Sequence, residues 1–154
     1  MRSNFGELFW RAVQLYPDKV VIEQGDLSLT YAQLEDRTQR CARALANLGV
    51  SQGDKVLLLL PNDYRFAEVL FGTLRTGAVA VPANIKLGVD ALAFIAEHSE
   101  STVLIAHAEL LDKAAGIRDR VPAIRHTLLM DAQLPDALDY DAETAAALPG
   151  FPTV

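Results

Sequence analysis

The chain has 154 residues, 51% hydrophobic and 22% charged, with a formal net charge of −6. This is a globular composition, able to bury roughly 70% of the unfolded surface, and it excludes a disordered chain. Mixed charge with an acidic balance excludes a sequence-independent nucleic-acid binder, which needs a basic face, and one cysteine excludes an internal disulfide framework.

The opening MRSNFGELFW lacks the long apolar core of a signal peptide, and no stretch of about 18 uncharged apolar residues follows. A soluble cytoplasmic protein without a transmembrane segment is expected. Asn4 and Glu7 have capping-box spacing for a first helix, with Phe5, Leu8, Phe9 and Ala12 on its apolar face and Tyr16-Pro17 at its end. Val20 to Gln24 and Leu27 to Tyr31 read as two strands joined by Gly25-Asp26, a two-residue hairpin loop of the primed kind. Thr30 and Gln33 form a second capping box. They open a long helix with Leu34, Thr38, Cys41, Ala42 and Leu45 inward and Gly49 at the C′ position. Glu35, Asp36, Arg37, Arg40 and Arg43 make its other side, expected to be a solvated face of mixed charge.

Residues 53 to 84 are the centre of the pattern. Val56 to Leu60 is an apolar run too short for a membrane and without alternation, which predicts a strand buried on both faces. Asn62 or Asp63 caps the next helix, on which Phe66, Ala67, Leu70, Phe71 and Leu74 share one face. Gly77 ends that helix, and Ala78 to Val81 gives a second strand stopped by Pro82, completing a βαβ unit. A helix from about Leu87 to Glu97 follows, then a strand (Thr102 to Ala106), a helix (His107 to Arg120) and a strand (Thr127 to Met130). From Asp131 the pattern weakens into an acidic tract (Asp136, Asp139, Asp141, Glu143), expected to be solvated, and a linker-like Pro149-Gly150-Phe151-Pro152. The order predicts an α/β fold: a mostly parallel sheet with helices on its faces, preceded by a small β-hairpin.

No segment carries a catalytic set of its own. Gly72 and Gly77 have P-loop spacing, but Ala78-Val79 stand where Lys and Ser/Thr are required. Neither G-x-G-x-x-G nor G-x-S-x-G occurs. His98, His107 and His126 lack metal-ligand spacing, and Cys41 on an apolar helix face reads as a packed thiol. Asp139-x-Asp141-x-Glu143 lacks the central glycine and terminal glutamate of an EF-hand.

Four groups of residues carry a family resemblance: Leu29-Thr30-Tyr31-x-x-Leu34; Leu48-Gly49-Val50-x-x-Gly53-Asp54-x-Val56; Pro61-Asn62; and Gly77-Ala78-Val79-x-Val81-Pro82-x-Asn84. In this order and spacing they resemble the N-terminal region of the AMP-forming acyl-CoA synthetases, within the adenylate-forming ligases. The resemblance runs from about Phe5 to about Met130. It implies an incomplete N-terminal α/β subdomain over residues 1–130. Residues 131–154 would then be a connector toward the family's Ser/Thr/Gly-rich phosphate loop, which lies beyond Val154.

For the longer enzyme the resemblance implies ATP, Mg2+ and CoA as cofactors and a carboxylic acid as substrate, activated as acyl-adenylate and passed to CoA. The 154-residue chain alone is expected to be inactive and to bind none of these tightly. No catalytic or metal-binding residue is carried over. By resemblance the loop at Asn84, Ile85 and Lys86 lies near the CoA nucleotide, with Lys86 able to pair with a phosphate. Against this stands a structural turn in which Asn84 caps and Lys86 is solvated. Two other functions stay open: a stand-alone non-catalytic binding or regulatory module, and an amino-acid-adenylating domain feeding a carrier protein. A partial sheet would also expose apolar area, with a homodimer as the expected symptom.

Overall fold

A computed structural model describes residues 5–152; the capping role expected of Asn4 lies outside them. The elements run α1 (Phe5–Leu15), β1 (Val20–Gln24), β2 (Leu27–Thr30), α2 (Tyr31–Asn47), β3 (Lys55–Leu59), α3 (Tyr64–Arg75) and β4 (Val79–Pro82). After these come α4 (Val89–His98), β5 (Val103–His107), a 3-10 turn (Ala108–Leu110), α5 (Leu111–Arg120), β6 (His126–Met130), β7 (Leu138–Asp139) and α6 (Tyr140–Ala146). β1 and β2 form the antiparallel hairpin, and the other strands form a five-stranded parallel sheet in the order β4-β3-β5-β6-β7.

Strand alternation divides the core in two. Val56, Leu58, Val103, Ile105, Leu128 and Met130 point to one face, where they meet Cys41 and Leu45 of α2, Val69 of α3 and Tyr140 of α6. Leu57, Leu59, Leu104, Ala106 and Leu129 point to the other and meet Leu92, Ala93 and Ala96 of α4 and Ala114 and Ile117 of α5. With helices on both faces, β3, β5 and β6 have no wet side, which is why their sequences are nearly continuous apolar runs. A smaller cluster of Phe9, Val13 and Leu34 joins α1 and the hairpin to α2.

Local signals act as their chemistry requires. Thr30 and Gln33 make the reciprocal capping box: the Thr30 N–H donates to Gln33 Oε1 at 2.8 Å and the Gln33 N–H to Thr30 Oγ1 at 3.3 Å. At the far end of α2, Val50 N–H donates to the Leu45 carbonyl and Gly49 N–H to that of Ala46, a Schellman motif that holds Gly49 at φ +84°. Gly25 has φ +58° while Asp26 is not left-handed, the pattern of a type II′ turn. Asp63, not Asn62, caps α3, accepting from the Arg65 N–H at 2.8 Å; Asn62 is exposed.

Three expected faces differ. On α1 the buried residues are Gly6, Phe9 and Val13, whereas Phe5 is 60% and Leu8 57% exposed. The side of α2 expected to be solvated is only partly so, because Glu35 is buried and Arg37, Arg40 and Arg43 are half-covered. On α3 the face of Phe66, Ala67, Leu70, Phe71 and Leu74 is half-buried, while Arg65, Glu68, Val69, Gly72, Thr73 and Arg75 are buried. The acidic tract is a fourth difference. Asp139 caps α6, and Tyr140 is 1% exposed beneath it.

Gly72 sets how closely α2 and α3 approach. A Cβ there would lie 2.7 Å from Cys41 Sγ and 2.8 Å from its Cβ. Alanine inside a helix usually gains about 0.5–1 kcal/mol over glycine, but overpacking costs about 1–3 kcal/mol. Gly72→Ala is therefore expected to lose about 1–2 kcal/mol net in urea melts, and parental stability would mean that α2 yields at no cost.

Candidate functional site

Open parallel sheets bind ligands beyond the carboxyl ends of their strands, at the point where successive connections diverge. Here that point is between β3 and β5, since β3 leads outward through α3 to β4 and β5 leads the other way through α5 to β6. The rim above it is filled by one cation and three carboxylates. Arg65, in the first turn of α3, donates to Asp63 at 2.9 Å, to Asp131 at 2.6 Å and to Asp141 at 2.8 Å. His107, at the end of β5, lies 3.4 Å from Asp131. The Arg65 side chain is 6% exposed. Burial opposes its charge, but the hydrogen bonds it donates to Asp63 and Asp131 and the nearby Asp141 outweigh it, so the guanidinium is held more firmly protonated than usual. Asp131 is held below its ordinary value first by its hydrogen bond to Arg65. For Asp63 burial works the other way, but its Arg65 hydrogen bonds prevail and it too is lowered. This is an ion lock that ties the ends of β3, β6 and β7 together, with every carboxylate engaged. It is not a catalytic constellation.

Behind the lock a buried polar layer joins α2, α3 and α6. Glu68 is 1% exposed and accepts from Arg37 and from Tyr140 Oη, the latter at 2.8 Å. Burial raises the carboxyl of Glu68 despite the Arg37 hydrogen bond. It also raises the Tyr140 hydroxyl, and it lifts the Cys41 thiol to about 12, which leaves a packed thiol without nucleophilic character. Two turns further along α3, Arg75 pairs with Glu35 and donates to the Phe151 carbonyl at 2.7 Å.

The sequence-predicted residues Asn84, Ile85 and Lys86 sit elsewhere on the rim, in the loop after β4 at the sheet's edge. Asn84 Oδ1 accepts from the Lys86 N–H at 3.0 Å, a local turn, and Lys113 Nζ of α5 donates to the Ile85 carbonyl at 2.6 Å. Ile85 is half-buried against the core of the α4–α5 side. Lys86 is exposed and makes no ion pair with a described residue. The turn therefore exists, and it presents a free cation. Arg65, Glu68 and Arg75 were not predicted as a site. Their signal was a charged stripe at i, i+3 and i+10 on a helix whose other side is apolar. Among the described residues no group of three or more His, Cys, Asp or Glu is placed to hold a metal ion, and no helix is long and apolar enough to cross a membrane.

The architecture is an α/β one, a parallel sheet with helices on both faces and an antiparallel hairpin ahead of it. The chain belongs to the AMP-binding enzyme family, whose profile matches residues 9–150. The chain is 30% identical over 138 residues to a medium/long-chain-fatty-acid–CoA/3-oxocholest-4-en-26-oate–CoA ligase of Mycobacterium tuberculosis, an alignment covering 90% of this chain and 24% of that protein. It is 42% identical over 80 residues to the long-chain-fatty-acid–CoA ligase FadD13 of the same organism, covering 52% of this chain and 16% of that one. The solved N-terminal domain of FACL13 from Mycobacterium tuberculosis superposes with a TM-score of 0.90 at 28% identity, over 99% of this chain and 38% of that one. The chain thus spans about a quarter of the length of the curated relatives it matches.

Proposed function

We propose that this chain is the N-terminal part of an AMP-forming acyl-CoA synthetase. The complete enzyme would convert a carboxylate, ATP and CoA to acyl-CoA, AMP and pyrophosphate. The observation that carries this is the family match over residues 9–150, joined to curated relatives that are themselves named fatty-acid–CoA ligases. Those names favour CoA over a carrier protein as acceptor and a fatty acid as substrate class. Adenylation gives the carboxylate a better leaving group, and Mg2+ offsets polyphosphate charge in that step.

Within this reading the loop of Asn84, Ile85 and Lys86 faces the CoA nucleotide. Lys86 supplies a free charge for a phosphate, while Lys113 steadies the backbone through the Ile85 carbonyl. The lock around Arg65 holds the neighbouring strand ends in register and takes no part in chemistry. Residues 131–154 lead toward the phosphate-binding loop.

The test is carboxylate-dependent ATP–pyrophosphate exchange, followed by thioester formation, with the protein from the complete coding frame and a panel of fatty acids. The 154-residue chain is expected to give neither reaction. Acyl-CoA formation by the purified 154-residue chain would overturn that expectation. Failure of the complete protein to exchange pyrophosphate with any carboxylate would remove the ligase reading.

A further inference from the structure

A groove of about 420 Å³ opens where α1, α2 and α3 meet the segment at residues 150–152. Its floor is polar and almost fully engaged. Glu35 Oε1 accepts from Arg75 and from Gln39 Nε2, and Gln39 Oε1 accepts in turn from the Gly150 N–H. Arg75 Nη1 donates to the Phe151 carbonyl. One atom is left over. Glu35 is 8% exposed, and its Oε2 is buried without a hydrogen-bond partner. A carboxylate oxygen withdrawn from water without a donor is costly, so an orphan of this kind points to an occupant that supplies one.

The walls show what kind of occupant. Glu7 and Trp10, three positions apart on α1, both border the groove. Glu7 makes no hydrogen bond or ion pair with a described residue, and Trp10 is 44% exposed. Phe151 supplies a second ring, which the Arg43 guanidinium covers from 4.9 Å without itself lining the groove. Among the lining charges, Glu7 and Glu35 are set against Arg75 alone, and Arg75 is already engaged by Glu35 and Phe151. The groove thus lacks one positive charge and holds aromatic surface beside its carboxylates.

We infer that this groove binds a small organic cation, a primary ammonium carried on an apolar body. The ammonium would donate to Glu35 Oε2 and to Glu7, with its body against Trp10, whose ring face also attracts the charge. Trp10 is exposed and Glu7 half-buried, so a rotamer change in either would open the way to Oε2. The acceptor selects ammonium over guanidinium. A guanidinium binds best as a fork on both oxygens of one carboxylate, and Glu35 Oε1 is taken. An ammonium instead donates singly in three directions. The volume is that of a small-molecule site. Bound there, the cation would join α1 to the segment at 150–152. The inference is independent of the ligase reading, and its test uses no activity.

Trp10 is the single tryptophan of the chain, so its fluorescence reports on the groove directly. The chain is titrated at neutral pH with 2-phenylethylammonium chloride, and separately with 2-phenylethanol, the N,N,N-trimethyl analogue of the amine, and sodium chloride. The primary ammonium is expected to give a saturable change and to bind at least about tenfold more tightly than the alcohol. Glu7→Gln is expected to weaken it about three- to fivefold. Glu35→Gln keeps an oxygen for Arg75 and Gln39 but puts an N–H donor in place of Oε2, and is expected to weaken it more than about tenfold. Glu97→Gln, exposed on α4 across the sheet, is expected to be silent. Should Glu35→Gln fail to fold, the Glu7→Gln result decides alone. The inference would be overturned by the absence of a saturable change, by an equal response to the alcohol or to sodium chloride, or by unchanged affinity in the Gln variants. Equal binding of the trimethyl analogue, which has no N–H, would overturn it too, since Oε2 would still lack its donor.

Discussion

Arg75→Met is expected to cost about 3–5 kcal/mol, the usual penalty for removing one partner of a buried ion pair. Both partners of the Arg75–Glu35 pair are buried, with side-chain exposures of 7% and 10%. Glu35 Oε1 also accepts from Gln39 Nε2 at 2.9 Å, whereas Glu35 Oε2 is buried without a hydrogen-bond partner. Removing the guanidinium leaves that carboxylate desolvated with one neutral donor, and it frees the Phe151 carbonyl as well. The penalty comes from the charge left behind, so Glu35→Leu with Arg75→Met should recover most of the stability. Urea melts of the two single variants and the double variant would decide it. If Arg75→Met alone stays within about 1 kcal/mol of the parent, water reaches Glu35 and the pair is energetically a surface pair. Limited proteolysis adds a local readout, since cutting near residue 150 should rise in Arg75→Met and stay high in the double variant.

The pair also marks the limit of what the sequence discloses. The core strands were legible because burial on both faces leaves only apolar residues, as in Val56 to Leu60 and Val103 to Ala106. The capping box at Thr30 and Gln33 and the Schellman glycine at Gly49 were legible because each is a local bond between residues a few positions apart. The interior of α3 was not. A helical wheel assigns its apolar arc to the core and its charges to water, but Arg65 finds Asp131 66 positions on and Asp141 76 positions on. Arg75 finds Glu35 40 positions back. Pairings at that distance leave no periodicity to read. The acidic tract misled for the same reason: Asp141 is a counter-ion for Arg65, and Tyr140 fills the space beside Cys41 and Glu68. The exposed stripe on α1 is the converse case. Its apolar pattern was legible, but of the expected face only Phe9 is buried, while Phe5 and Leu8 stay exposed.

Arg65→Met should lower stability by about 3 kcal/mol at neutral pH and change its pH dependence. Only the pair with Asp63 is well buried, with that carboxylate 12% exposed; Asp131 and Asp141 are 57% and 46% exposed, so their share is discounted for solvent screening. Asp131 and Asp63 have folded-state values held below the ordinary value of about 3.9. The unfolded chain therefore takes up their protons first as pH falls. Their contribution is complete above about pH 4 and is lost as pH drops through the lowered folded values. Glu68 has the opposite sign: burial raises it, so its ionised form costs stability at neutral pH and the cost is relieved on acidification. Asp54, lowered first by the Ser51 N–H, behaves alike in parent and variant. Below about pH 4 the parent should thus lose stability steeply. Arg65→Met should lose it on a shallower slope, because the Arg65 hydrogen bonds that lower Asp131 and Asp63 are gone, leaving the smaller effects of His107 and of the backbone N–H of residue 65. Stability measured by urea melts from pH 7 down to about 2.5 would show this. Parallel curves, displaced but equal in slope, would mean that the lock holds the strand ends by packing rather than by charge.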